Sequence, residues 1–221
     1  MDEYPMRINK YLALKKISTR RGADELVAGK KVFINGKLAV LGSKVGENDK
    51  VEVKGNKTKE YSYFSYNKPI GIETNSPRSD LFPLGRLDKD SHGLMILTND
   101  GRITDQLLNP KYFHEKEYVV RTSNKLRSNF KQKMEAGVNI EGYLTKPCKV
   151  KILSDFTFKV TLTEGKKHQI RRMCANLFQE VADLKRERIM NIKLGNLKPG
   201  GLREIKGEEL LTFLNQVLHQ S

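Results

Sequence analysis

The sequence is interrupted at residues 54–61 by the largely polar run KGNKTKEY, which shows no apolar periodicity. Such a stretch is typical of a linker between parts of a chain that fold separately. With 221 residues, the chain exceeds one average domain and falls short of two. We therefore expect a small N-terminal domain over residues 1–54, a linker over 55–61 and a larger domain over 62–221.

The first part of the chain has two short stretches with helical periodicity. Apolar residues recur at three- and four-residue steps over residues 6–17 and again over 19–28, which predicts two helices. Ser18 is placed to cap the second helix. Gly22 lies inside that helix, where glycine costs roughly 1 kcal/mol relative to alanine, so an irregular helix start is expected.

Strand signals follow these helices. Residues 32–34 read VFI and lead into Asn35 and Gly36, which tolerate the positive φ angles of a tight hairpin. The alternation of residues 51–53 predicts another strand. The stretch over residues 6–54 resembles the S4 RNA-binding domain in its segments RINKYL, STRR and VFING.

The charge balance is strongly basic in both parts of the chain. Lys and Arg number 41 against 26 Asp and Glu, a net charge of +15. Residues 1–60 hold 14 basic and 8 acidic groups, and the rest of the chain holds 27 and 18. A polyanion such as nucleic acid is the partner that best explains this excess, because binding releases counterions. A charged surface that serves only solubility is the alternative.

Composition argues against several other classes of protein. Cys148 and Cys174 are too few and too far apart for a disulfide framework or a zinc cluster. The four histidines are His92, His114, His168 and His219. No two of them have the spacing of metal ligands on a helix, so we expect no metal. No apolar run is long enough for a membrane span and no export signal is seen, so we expect a cytoplasmic protein.

The second part of the chain alternates short β-like runs with helical stretches. This order predicts an α+β domain built on a mixed, mostly antiparallel β-sheet with flanking helices. The predicted strands cover residues 63–67, 117–121, 148–153 and 157–162, and the predicted helices cover 102–108, 126–136, 169–177 and 208–218.

The densest chemical signal is the segment GRLDKDSHGL at residues 85–94, which leads directly into an apolar run. The chain turns sharply at a polar place and then enters the core as a strand, so the backbone holds Asp88 rigidly. Taken by itself, the segment also fits an Asp-rich surface turn.

This segment resembles the catalytic motif of the pseudouridine synthases, in the branch named after RsuA and RluF that modifies ribosomal RNA. Further segments carry the resemblance in the family's order: NKPIG at 67–71, EKEY at 115–118, TEGKKHQIRRM at 163–173 and LKRERI at 184–189. Together with the S4-like part they cover nearly the whole chain. Residues 145–150, 171–174 and 188–192 look most similar to the RluF branch, which favours a uridine in 23S rRNA.

By their places in these motifs, Asp88 corresponds to the family's catalytic aspartate and Tyr118 to the aromatic residue against the target base. Arg171 corresponds to the partner of the catalytic carboxylate, and an arginine there favours the ionised form. From the residues alone, Tyr118 also fits a core strand position and Arg171 a phosphate contact.

The expected reaction breaks the N1–C1′ bond of uridine, turns the base and rejoins it at C5. A carboxylate nucleophile divides this into easier steps through a transient covalent bond, at C1′ or at C6, and both routes stay open. The target base has to leave its stack and lie on an aromatic face. Isomerisation consumes nothing, so we expect no cofactor.

These observations predict a monomeric protein that binds ribosomal RNA and does not associate with a membrane. Transfer RNA stays open as a second substrate. A non-catalytic RNA-binding ribosome-assembly factor is the alternative, and an S4-type regulator of messenger RNA would leave residues 62–221 unexplained. The candidate RNA-binding residues are Lys68, Arg86, Arg172 and Arg186 in the larger part, and Arg7, Arg20 and Arg21 in the S4-like part. Lys68 and Arg86 are also candidates for contacts that orient the site.

Overall fold

The computed structural model describes residues 4–15, 17–55 and 60–218. They form two compact units: one reaches Tyr61 and includes residues 100–102, and the other contains 62–99 and the residues from 103 onward. Residues 56–59 of the predicted linker and His219 lie outside the described residues, so the linker and the domain bounds beside it stay a prediction. Among the described helices, none has the length and apolar character needed to cross a membrane.

The first unit packs two helices on small antiparallel sheets. Its strands β2, β3 and β5 form one sheet in the order β3–β2–β5, and β1 pairs with β4. Ile8, Leu12 and Val45 are buried in its core. The elements are β1 (Met6–Arg7), α1 (Ile8–Leu14), α2 (Arg20–Ala28), β2 (Val32–Ile34), β3 (Lys37–Leu38), β4 (Lys44–Val45) and β5 (Val51–Val53).

Two local expectations for this unit are corrected and one is confirmed. Thr19, not Ser18, caps α2, because its Oγ1 accepts a hydrogen bond from the Gly22 amide at 3.0 Å. The helix starts regularly. A Cβ at residue 22 would lie 2.5 Å from the Ser18 hydroxyl, so the absence of a side chain at Gly22 leaves room for the cap. The predicted hairpin is confirmed, with Asn35 at φ 50° and Gly36 at φ 75°.

The second unit is built on a nine-stranded sheet, in the order β12–β13–β9–β14–β8–β6–β16 with β15 beside β14 and β7 beside β8. Among the described strands of this sheet, only β14 and β8 run parallel, which confirms the predicted mixed, mostly antiparallel α+β architecture. The strands are β6 (Tyr63–Lys68), β7 (Phe82–Leu84), β8 (His92–Thr98), β9 (Lys116–Thr122), β10 (Asn139–Ile140), β11 (Tyr143–Leu144), β12 (Lys149–Ser154), β13 (Thr157–Leu162), β14 (Val181–Ile189), β15 (Ile192–Lys193) and β16 (Leu202–Glu204).

The helices of this unit agree with those predicted from periodicity, apart from their ends. They are α3 (Thr104–Leu108), α4 (Phe130–Glu135), α5 (Gln169–Asn176) and α6 (Gly207–Leu218), and short 3-10 helices cover Gly101–Ile103 and Pro110–Tyr112. The strands β10 and β11 form a separate hairpin, and β10 contacts α5.

The long strand β14 was not predicted, although it lies in the middle of the sheet. Its sequence is charged at four consecutive positions, 185–188, which does not resemble a buried strand. In the structure these charges have partners: Glu187 pairs with Lys159 at 2.9 Å, and Arg188 pairs with Glu115 at 3.0 Å. Contacts between distant parts of the chain therefore stabilise a strand that local sequence does not favour.

The core of this unit has two clusters that meet at Tyr118. One joins sheet residues such as Phe158 to α4 and α5, and the other joins Leu87 to sheet residues such as Met95. Tyr118 packs against both clusters and is only partly buried. The place where the clusters meet is therefore next to the loop that carries Asp88.

Gly93 in β8 allows the central strands to approach each other. It pairs with Arg186 of β14 and has φ 104°, and a Cβ at this position would collide with the Arg186 carbonyl oxygen and lie 2.8 Å from its nitrogen. No L side chain fits here without a backbone shift.

We predict that Gly93→Ala lowers the free energy of unfolding by about 3 kcal/mol or more, since overpacking adds to backbone strain. Gly200→Ala is the matched control, because Gly200 has φ 78° but nothing within 4 Å of a Cβ; strain alone predicts a loss of about 1–2 kcal/mol. Urea unfolding of both variants measures the difference. Equal losses would show that the close approach of the strands is unimportant.

Candidate active site

A row of cross-strand partners defines the floor of the candidate site. Lys68 in β6 pairs with Gly93 in β8, Gly93 with Arg186 in β14, and Arg186 with Tyr118 in β9. Directly opposed residues in a sheet project to the same face. Lys68, Arg186 and Tyr118 therefore share one face, and Gly93 lies between Lys68 and Arg186 in the row.

Arg186 is bonded to the loop that lies over this row. Its Nε donates to the Leu94 carbonyl at 2.7 Å and its Nη1 to the Arg86 carbonyl at 3.4 Å. The residue is only 3% exposed. The RNA contact predicted for Arg186 does not fit this burial, and its Nε and Nη1 donate to backbone carbonyls instead.

Lys68 has a similar position on the other side of Gly93. It is fully buried, and its Nζ donates to the carbonyls of Ile72 at 2.6 Å, Pro69 at 2.9 Å and Lys89 at 3.4 Å. Burial lowers the pKa of Lys68, and the charge of Asp88 partly opposes that shift. The phosphate contact predicted for Lys68 does not fit this burial, whereas the alternative, a contact that orients the site, agrees with its hydrogen bonds.

Arg171 in α5 makes contacts that differ from those predicted. Its Nη2 donates to the Asp90 carbonyl at 2.8 Å and its Nη1 to the Val181 carbonyl at 3.2 Å. Within the described part of the chain, Arg171 forms no ion pair with Asp88; instead, His168 Nε2 lies 3.3 Å from Asp88 Oδ1. The arginine holds the backbone two residues beyond Asp88, and the expected direct pair is not formed in this structure.

Asp88 remains accessible while its backbone is fixed. Its side chain is 36% exposed, and its carbonyl accepts a hydrogen bond from the Ser91 amide at 3.0 Å. Thr74 Oγ1 bonds both polar backbone groups of Leu87, donating at 2.6 Å and accepting at 3.0 Å. The carboxylate is therefore open to solvent, while hydrogen bonds fix the backbone beside it.

Three functional candidates were missed in the sequence. His168 lies inside the segment TEGKKHQIRRM, three residues before Arg171. A histidine in this segment gave no reason to expect it beside the Asp88 carboxylate. Thr74 has no local signal, because its bonds to Leu87 depend on the tertiary fold. Lys116 was detectable, since strand alternation puts it on the same face as Tyr118.

Lys116 lies near the row, and among the described residues it forms no ion pair with a carboxylate. Burial lowers its pKa from 10.5 to about 8, and the charge of Arg186 adds to the shift. Its Nζ makes one long contact, 3.4 Å, to the His114 carbonyl. This lysine changes its charge in a pH range close to neutrality.

The other predicted RNA-binding residues do not all share one environment. Arg172 is half-buried and pairs with Glu141 at 2.5 Å, whereas Arg86 is exposed. In the first unit, the predicted RNA-binding residues Arg7, Arg20 and Arg21 are all exposed, and the last two lie in the first turn of α2.

The comparisons with known proteins show the family of this chain. The family model described as RNA pseudouridylate synthase matches residues 50–176, and the S4 domain model matches residues 6–51. The chain belongs to the RNA pseudouridylate synthase family. Members of this family are isomerases, and the first unit contains their S4 domain.

Individual relatives show how far the similarity extends. The chain is 37% identical to the dual-specificity RNA pseudouridine synthase RluF of Escherichia coli K12, over 98% of this chain and 81% of the relative. It is 34% identical to the ribosomal large subunit pseudouridine synthase B of Bacillus subtilis, over 92% and 93%. A crystal structure of a pseudouridylate synthase aligns with a TM-score of 0.70 at 28% identity, covering 96% of this chain and all of that one.

We predict that Lys116→Met raises the free energy of unfolding at pH 7 by on the order of 1–3 kcal/mol, because the folded chain no longer buries an ammonium group. The folded pKa, about 8, lies below 10.5, so the penalty is complete below pH 8 and fades as the pH rises towards 10.5. Urea unfolding at pH 7 and pH 10 measures the gain and its decline.

The control is Lys125→Met, at a side chain that is 68% exposed, where a change within about 0.5 kcal/mol is expected. A Lys116→Met variant that is less stable than the parent at pH 7 would show that the ammonium has a partner that compensates its burial.

Proposed function

We propose that this chain isomerises uridine to pseudouridine in ribosomal RNA, with a uridine of 23S rRNA as the favoured target and Asp88 as the nucleophile. The observation that carries the proposal is an accessible Asp88 carboxylate on a loop whose carbonyls are held by Arg171, Arg186 and Lys68. The names of the Escherichia coli and Bacillus subtilis relatives, the latter a large-subunit enzyme, support the substrate class.

The proposed reaction begins with a uridine that has left its stack. Tyr118 gives the base an aromatic face, and the Asp88 carboxylate forms a transient bond at C1′ or C6. The N1–C1′ bond breaks, the base turns, a C5–C1′ bond forms, and the bond to Asp88 breaks again, which restores the free carboxylate. The C5 proton then leaves and N1 gains a proton, so all atoms of the uridine are conserved.

The three cations contribute to this mechanism through the backbone. Each donates to a carbonyl within two residues of Asp88, so the loop keeps the carboxylate in one place as the substrate arrives. Fixed groups that need no reorganisation during the reaction contribute strongly to catalysis. In this proposal Arg171 is a positioning residue, and its partner is the backbone of Asp90.

Exposed basic residues supply the contacts to the RNA backbone in the proposal. In the catalytic domain this residue is Arg86, which is exposed in the same loop as the nucleophile. In the S4 domain the proposed contacts are made by the exposed residues Arg7, Arg20 and Arg21. Such contacts position an RNA without reading its sequence. We propose that the enzyme acts as a monomer, and transfer RNA stays open as a second substrate.

We predict that Asp88→Asn lowers the rate of pseudouridine formation by at least about 10⁴-fold, because the amide is not a nucleophile. The matched control is Asp90→Asn, an exposed aspartate of the same loop, for which a change below about 10-fold is expected. The assay incubates each protein with unmodified 23S and 16S rRNA transcripts and maps pseudouridine.

Equal yields from Asp88→Asn and the parent chain would remove Asp88 from the mechanism. Tight, salt-sensitive RNA binding without pseudouridine in any cellular RNA would instead favour a ribosome-assembly factor. Maps of total RNA from cells with and without the gene give the target nucleotide and show whether transfer RNA is modified.

A further inference from the structure

An exposed phenylalanine lies just before β9, at the end of the 3-10 helix Pro110–Tyr112. Phe113 is 60% exposed and has φ 56°, in the left-handed region. Both features are unfavourable for a bulky apolar residue, and such residues concentrate at functional sites. Lys146 Nζ lies 4.0 Å from the centroid of the Phe113 ring and donates to the Pro110 carbonyl at 3.0 Å.

A second exposed aromatic ring with a lysine beside it lies in the β10–β11 hairpin. Tyr143 is 36% exposed, and Lys166 Nζ lies 4.3 Å from the centroid of its ring. The Tyr143 hydroxyl donates to Glu164 Oε2 at 2.6 Å, and this bond raises the pKa of the tyrosine. The ring is therefore fixed in position by its hydroxyl, while part of its surface stays open to solvent.

One buried carboxylate connects the two aromatic–lysine pairs. Glu164 is 2% exposed, and it also accepts from the Lys146 amide at 2.9 Å and from Gln169 Nε2 at 2.8 Å. Gln169 follows His168, whose ring lies 3.3 Å from Asp88. An uninterrupted series of contacts thus leads from Phe113 to the candidate nucleophile.

We propose that these residues, which we term the aromatic–lysine track (Phe113, Lys146, Tyr143 and Lys166), bind single-stranded nucleotides that flank the target uridine. One base stacks on each ring, and the adjacent phosphates contact the two lysines. This inference rests on the proposed function, because it assigns the track to the same RNA substrate.

The chemistry of the track fits an unpaired RNA segment. Exposed rings stack on any base, and ammonium groups beside them neutralise the backbone. The net charge of +15 provides the complementary field. Duplex RNA does not fit, because its bases are already stacked and do not present their faces.

A second exposed phenylalanine supplies a matched control. Phe178 is 68% exposed with φ 60°, and the Arg127 guanidinium lies 4.6 Å from its ring centroid. It follows the C-terminal end of α5, whereas His168 precedes the N-terminal end of that helix. The two phenylalanines therefore share exposure, backbone conformation and a neighbouring cation, but only Phe113 belongs to the series of contacts that reaches Asp88.

The test measures how the full chain binds an unstructured 12-nucleotide oligouridine and an abasic 12-mer with the same backbone, by fluorescence anisotropy. Asparagine tolerates the left-handed region, so Phe113→Asn and Phe178→Asn remove the rings without adding strain. We expect Phe113→Asn to weaken oligouridine binding about 10-fold, Phe178→Asn to change it less than 2-fold, and neither substitution to affect the abasic oligomer.

Equal effects of the two substitutions, or an equal loss for Phe113→Asn with the abasic oligomer, would overturn the proposal. A loss of the same size with a 12-base-pair RNA duplex would overturn it too. Lys146→Met is a second variant, expected to weaken both single-stranded oligomers and to reduce the slope of log affinity against log salt by about 0.7. None of these readouts depends on Asp88, so the track and the catalytic proposal fail separately.

Discussion

Three cationic side chains donate hydrogen bonds to backbone carbonyls of the loop that presents Asp88, and the candidate site depends on these bonds. Burying a cation is costly unless its hydrogen bonds are satisfied, and here backbone oxygens satisfy many of them. The loop gains a fixed conformation, and the carboxylate gains positive charge nearby. The donors and acceptors are Lys68 to Lys89, Arg171 to Asp90 and Arg186 to Arg86.

The sheet makes this arrangement possible through its register. Because Lys68, Gly93, Arg186 and Tyr118 are cross-strand partners, two cations and an aromatic ring share one face beneath the loop. Gly93, which has no side chain, lets β14 approach β8 closely. A side chain at this position would alter the pairing of the two strands that hold the site together.

Local patterns predicted the hairpin at Asn35, the helix α5 and several strands, because turn chemistry and periodicity are properties of short segments. Motif resemblance singled out Asp88 and Tyr118, whose roles stay a prediction. The RNA contacts predicted for Lys68 and Arg186 do not fit their burial, since a basic residue in a basic chain looks the same whether it meets RNA or a buried carbonyl. Their true partners depend on pairing between strands far apart in sequence, which local reasoning does not show.

The most direct test of this account is a single-turnover measurement on Lys68→Met, at a residue that is fully buried in the structure. A saturating amount of enzyme is mixed with the mapped substrate RNA, and the rate constant and Kd are determined separately. The account predicts a rate constant reduced about 100-fold with an unchanged Kd, because a small displacement of the nucleophile is costly. A weaker Kd with an unchanged rate constant would mean that Lys68 binds RNA, and would contradict it.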